Sequence, residues 1–259
     1  MQLPSVAGGL PKARRILLFV ALAAGASAEM LMVQHPQDAR INVVWGQPAQ
    51  AALAPMTAAR PELSAAKSYG IVLENRSDAA IVALTVRWKW SDRAGRPRVH
   101  DVRSDSLFLT KANVVGPRQR VVILPGMLAS DSTSGGVGVS GLPIEETLRE
   151  FEGASNITAS IDCLVFADGS ALGPDESATV EGIKGRRRAA LEIGAIVRSN
   201  APHGKDAVLA ALDQHARASM GKGSPPEQAW RSRLIRMVAN HRGDLGALAE
   251  SFINLPQVK

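Results

Sequence analysis

A single cysteine, Cys163, stands in the 259 residues, so no internal disulfide can form. It lies in Ile161-Asp162-Cys163-Leu164-Val165-Phe166, among alternating apolar residues. A reactive thiolate needs a basic, partly exposed neighbourhood. This context instead predicts a small buried hydrophobe. Aromatics are also scarce: four Trp, one Tyr and five Phe. That leaves little with which to stack nucleic-acid bases. The five histidines, His35, His100, His203, His215 and His241, contain no pair at a metal-ligand spacing such as H-x-x-x-H. Charge excess is small. The whole chain is at +6, but Lys12, Arg14 and Arg15 supply three of those charges, and the chain beyond residue 28 is at only +3. So weak and dispersed a balance excludes nucleic acid as the expected partner.

Long apolar runs are missing too. The longest unbroken run is Ile16–Ala24, well short of the ~20 residues that span a bilayer. Its setting explains it. Lys12, Arg14 and Arg15 precede it, and Ala26-Ser27-Ala28 follows, a small-x-small site before Glu29. Basic, apolar and small residues in that order predict a signal peptide over 1–28. The chain is therefore expected in the bacterial periplasm or outside the cell, with no membrane span once the leader is cleaved.

What the chain does have is a strong strand. In Ala80–Trp90, residues Ala80, Val82, Leu84, Val86, Trp88 and Trp90 share one parity. Thr85, Arg87 and Lys89 share the other. A side-chain period of two predicts a strand with one dry and one wet face. Tyr69–Leu73 before it, the turn Ser91–Pro97 after it and a return strand through Arg98–Arg103 make an antiparallel meander. Ile41–Trp45, Leu107–Leu109, Arg120–Leu124 and Ile157–Phe166 bring the count between Ile41 and Phe166 to about seven strands. Short strands with Gly, Pro and Asn turns predict an immunoglobulin-like β-sandwich. The Ala/Pro-rich stretch 47–66 reads as a linker. Ile144, Leu148 and Phe151 recur at helical spacing.

After Gly173-Pro174 the period changes. Val180, Ile183, Arg187, Leu191, Gly194 and Arg198 mark one helix, with Ala190 and Val197 beside its apolar stripe, and Val208 and Leu212 mark a second. Trp230, Leu234 and Val238 mark a third, and Leu245, Leu248 and Phe252 a last one. Ser224-Pro225-Pro226-Glu227 has the form of a capping box with Pro at N1. The class is thus α+β: a leader over 1–28, an antiparallel sandwich over 29–176 and a helical region over 177–259. Large apolar residues are few in the helical region, which predicts a module that leans on the sandwich.

Leu73–Ser77, Trp88–Asp92 and Phe166–Asp175 together resemble exported bacterial proteins of unknown function that carry an immunoglobulin-like β-domain and a helical tail. The resemblance covers roughly residues 68–200 and rests on turn signatures. It implies a fold and a compartment, and no activity, ligand or catalytic residue.

Several stretches bear on chemistry. Gly136–Gly141 matches G-x-G-x-x-G, but no strand runs into it and Pro143 follows. A dinucleotide site needs a strand, a tight turn and a helix in succession, so a loop is expected. Asp168, Asp175 and Glu176, with Ser170, gather oxygens around two glycines and are the candidate metal ligands. Calcium takes six to eight oxygens, more than these supply, and a turn followed by a helix start is the competing reading. Lys184–Arg188 is the one basic cluster, suited to an anionic partner or to a solvated helix face. Asn75-Arg76-Ser77 and Asn156-Ile157-Thr158 match glycosylation acceptors and read equally as turn and strand residues. No residue is singled out as catalytic, and no cofactor is expected. The chain reads as a non-catalytic envelope module that binds a protein or a glycan. The alternative is a hydrolase-type enzyme whose site assembles from loops.

Overall fold

A computed structural model of the protein describes residues 31–106, 114–130, 144–255 and 258. The expected leader, the run Leu107–Leu109 and the glycine stretch 136–141 lie outside the described residues.

The chain enters through a short strand β1 (Met32–Gln34) and crosses to β2 (Ile41–Trp45). Helix α1 (Gln47–Ala59) and a 3-10 segment, Pro61–Tyr69, follow. Next come β3 (Ile71–Asn75), β4 (Ile81–Ser91) and β5 (Pro97–Asp105). A hairpin, β6 (Arg120–Leu124) and β7 (Met127–Ser130), precedes helix α2 (Ile144–Phe151), β8 (Ser155–Phe166) and β9 (Ala171–Leu172). Four helices complete the chain: α3 (Thr179–Asn200), α4 (Lys205–Ala218), α5 (Pro225–Asn240) and α6 (Leu245–Ile253). The strand-to-helix change thus falls between Leu172 and Thr179. The class is mixed α+β with two sheets.

One sheet has the order β1-β8-β4-β5 with β9 on β8, and the other β2-β3-β6-β7. Their inner faces share one core, in which Leu84, Val86, Trp88 and Trp90 of β4 meet Ile71 and Leu73 of β3 and Val121 and Ile123 of β6. Trp88 is fully buried, as its parity requires. Phe151 of α2 closes the end of this core, edge-on to Tyr69 and Trp90 at 5.0 Å from each ring centroid.

Four expectations need correction. The stretch 47–66 is no linker. Ala49 and Leu53 of α1, with Leu63 and Ala66, pack on Val72 and Val122, on the outward side of β3 and β6. Alanine is the best helix former, and Pro48 and Pro61 occupy starting positions where no N–H is needed. Only Pro55 is interior. The sandwich is not wholly antiparallel either: β1 pairs β8 in parallel, Gln34 opposite Ser160. A three-residue edge strand has no periodicity to betray it. The second face of β4 is wet only toward its end. Ala83 is buried with Cys163 and Val165 beneath Ile183 of α3, and Thr85 bonds Thr179 at 2.7 Å. Finally, Ser224 is the N-cap of α5, yet its side chain caps nothing. Glu227 turns instead to Arg231 and Arg188.

The helical region has its own apolar cluster, centred on Ile193 and Val197 of α3 and including Val208, Leu212, Leu234, Val238 and Phe252. Small residues on α3 permit close crossings. A Cβ on Gly194 would sit 2.9 Å from Ile253 Cγ1 and 3.3 Å from the Ala249 carbonyl oxygen. Arg231 is buried between carboxylates, at 2.6 Å from Glu192 Oε2 and 2.5 Å from Glu227 Oε1.

Candidate functional site

The feature that builds the site is a register shift. Thr85 pairs Cys163 but Val86 pairs Ile161, so Asp162 is the extra residue in β8. Such a bulge reverses the side-chain parity on either side of it. Ile161 therefore faces the inter-sheet core while Cys163 faces α3.

Asp162 is completely buried. Its carboxylate accepts the amides of Glu176 at 2.9 Å and Ser177 at 3.0 Å. Its carbonyl accepts the Asp175 amide at 2.9 Å. The loop 173–178 is thereby laid across β8. Gly173 makes this approach possible. It has φ +107°, and a Cβ there would lie 2.3 Å from the Asp162 carbonyl oxygen, so no other residue fits.

Asp175 completes the join. Its carboxylate accepts the amides of Thr179 at 2.7 Å and Val180 at 3.2 Å, satisfying the exposed N–H groups that open α3. Glu176 points the other way, to Lys89 Nζ at 2.6 Å and Arg87 Nη1 at 3.2 Å. The bonds from Lys89 and then from Arg87 hold its carboxyl below the usual carboxylate range. Arg87 also donates to both oxygens of Asp101, at 2.8 and 3.2 Å, a paired geometry stronger than a single bond. Burial pushes the Asp101 carboxyl upward, but the hydrogen bonds from Arg87 and Arg103 outweigh it and leave it low.

Between this loop and β1 lies a cleft of about 340 Å³, lined by Gln34, His35, Pro36, Ser160, Pro174 and Glu176, among others. Across the sheet Gln34, Ser160, Arg87 and Asp101 occupy one register row. The open half of this face ends in exposed Met32 and Val99, 55% and 57% accessible. The Ser160 hydroxyl donates to the Arg87 carbonyl at 3.3 Å. His35 Nδ1 lies 3.1 Å from the Pro36 carbonyl, and its ring meets Trp45 edge-on at 5.9 Å. Serine, histidine and glutamate thus line one cleft, each bonded to a group outside that trio.

The metal candidates do not converge. Asp168 accepts the Ser170 amide and hydroxyl at 2.9 and 2.7 Å in a tight turn. Asp175 caps α3 and Glu176 joins the basic pair. Among the described residues no group of three His, Cys, Asp or Glu side chains could hold a metal ion. Cys163 is a buried free thiol. Burial first, then the nearby Asp175, pushes it up to about 12. It is protonated at physiological pH and unsuited to attack. The cluster Lys184–Arg188 is largely consumed internally. Arg186 bonds Asp105 at 2.6 Å, Arg187 reaches the Leu255 carbonyl at 3.4 Å, and Arg188 bonds Glu181 at 2.8 Å and Glu227 at 3.0 Å. Asn75 is buried, its amide donating to the Ala79 and Gly116 carbonyls, so it braces a turn.

Gln34, His35 and Ser160 were not distinguished by sequence. The signal nearest to them was Gly173-Pro174, which marks the loop that walls the cleft. No protein family, curated protein or solved structure matches this chain.

Proposed function

We propose that the protein is an exported bacterial envelope module that binds a partner protein or glycan without turning it over, and that the cleft beside β1 is its contact site. One observation carries this reading. The polar side chains of the cleft are convergent enough to bind, but none of the three reactive types is bonded to another. A nucleophile needs a base within hydrogen-bond reach. Here the Ser160 proton goes to a backbone carbonyl, and Glu176 is neutralised by Lys89 and Arg87. A cleft of amide, hydroxyl and imidazole groups over proline rings suits a neutral polar ligand or a peptide backbone.

Export rests on the order of residues 12–28. The immunoglobulin-like description rests on two face-to-face sheets, the β4–β5 hairpin and β1 lying parallel to β8 at the sandwich edge. It also accords with the resemblance to exported proteins of that build.

A hydrolase is the second reading, favoured by the single fact that Ser160, His35 and Glu176 line one cleft. Chromogenic ester, phosphate and glycoside substrates separate the two. The binding reading predicts no turnover above that of Ser160→Ala. Turnover lost in that variant, with folding intact, would establish the enzyme.

A further inference from the structure

The charge of the chain is divided between its two parts. Residues 177–259 carry 13 Lys and Arg against 7 Asp and Glu, a net +6, while residues 29–176 carry 14 against 17, a net −3. Within the helical region five basic residues are paired with acids, Arg186 and Arg188 among them. Arg231 lies between Glu192 and Glu227, Arg198 reaches Glu250 at 2.7 Å and Arg217 reaches Asp213 at 2.5 Å. Among the described residues Arg233, Arg236 and Arg242 have no acidic partner, and all three are exposed. Arg233 lies over the Trp230 ring, 4.8 Å from its centroid, which Arg186 also covers at 5.0 Å.

Arg233 and Arg236 flank a shallow groove of about 660 Å³, with Met237 and Leu248 among its lining and His241 and Asn240 at its end. The acids of α6 do not neutralise it. Asp244 caps that helix by accepting the Gly246 amide at 2.7 Å, and Glu250 is paired with Arg198.

We propose that this α5–α6 face docks the protein on the surface of an anionic phospholipid bilayer. Guanidinium groups complement lipid phosphates, and the methionine and leucine between them suit the boundary between headgroup and acyl chain. The segregation of charge favours a surface over a peptide. A peptide senses the groove alone, whereas a charged plane also repels the acidic sandwich and so orients the whole molecule. No helix among the described residues is long and apolar enough to cross a membrane, so the contact is peripheral.

The test is co-sedimentation of the chain lacking residues 1–28 with vesicles of phosphatidylcholine containing one third phosphatidylglycerol. Binding should fall with salt and vanish on pure phosphatidylcholine. Each basic residue at such a surface strengthens partitioning about fivefold. Reversing Arg233, Arg236 and Arg242 to Glu should therefore weaken it by more than tenfold, and the three-Gln variant by less. Reversing Arg60, Lys67 and Arg76, which changes net charge equally on the sandwich, should leave most binding in place. The proposal is overturned by failure of the native chain to bind, by equal loss in the two reversal variants, or by binding to soluble polyglutamate and not to the vesicles.

Discussion

Removing the buried Asp162 carboxylate leaves the half-buried Glu176 and Ser177 amides without their acceptor. Asp162→Ala should destabilise the fold by about 2–3 kcal/mol, read from the denaturant midpoint. Trp88→Ala on the inner face should destabilise it by about 3–5 kcal/mol. Arg87→Ala is not the neutral change its parity suggests. It strips Asp101 of its paired donor and Glu176 of one of two cations. Both carboxyls are held low when folded. Their stabilisation is present above the unfolded carboxylate value of about 4 and is lost as pH falls through the folded values. The acid-unfolding midpoint of Arg87→Ala should therefore move to higher pH. An unmoved midpoint would detach this network from stability. For Cys163 the sign is opposite. Its folded value, about 12, lies above the ordinary thiol value, so its contribution is whole below the unfolded value and fades as pH rises from there toward 12. Native protein at pH 8 should resist a disulfide reagent and react only on unfolding.

At the scale of elements, α3 joins the two halves. Its first turns cover Cys163 and Val165 through Ile183, and its later turns anchor α4, α5 and α6. Small residues such as Gly194 let these helices approach closely. Gly194→Ala should push α6 outward and destabilise the bundle by about 1–3 kcal/mol. The isolated fragment 175–259, which keeps the Asp175 cap and the apolar cluster, should melt cooperatively, at a lower temperature than the full chain. Gradual loss of helicity would instead make the sandwich indispensable to it. Elements with a period were legible in the sequence: β4 from its alternation, the four C-terminal helices from their spacing, and the break at Gly173-Pro174. Elements defined by partners were not. β1 exists because β8 offers it a parallel edge, and α1 because β3 and β6 present Val72 and Val122 for it to cover. The cleft was hidden for the same reason. Gln34 and Ser160 lie 126 positions apart and meet only through strand register, and the bulge that reverses β8 is invisible until its partner is placed.

The whole molecule is proposed to be exported and to bind through the cleft. N-terminal sequencing of protein from its native host should begin at Glu29 or within a residue or two, and intact Met1 in a cytoplasmic fraction would contradict export. The most direct measurement of the central claim is affinity capture from a native-host envelope extract with two baits: the unaltered mature chain and Gln34→Trp, which fills the cleft from an exposed edge position. The account predicts a protein or glycan retained by the first bait, lost from the second and recovered chemically unaltered after prolonged incubation. Equal retention by both baits, or recovery of a cleaved product, would contradict it.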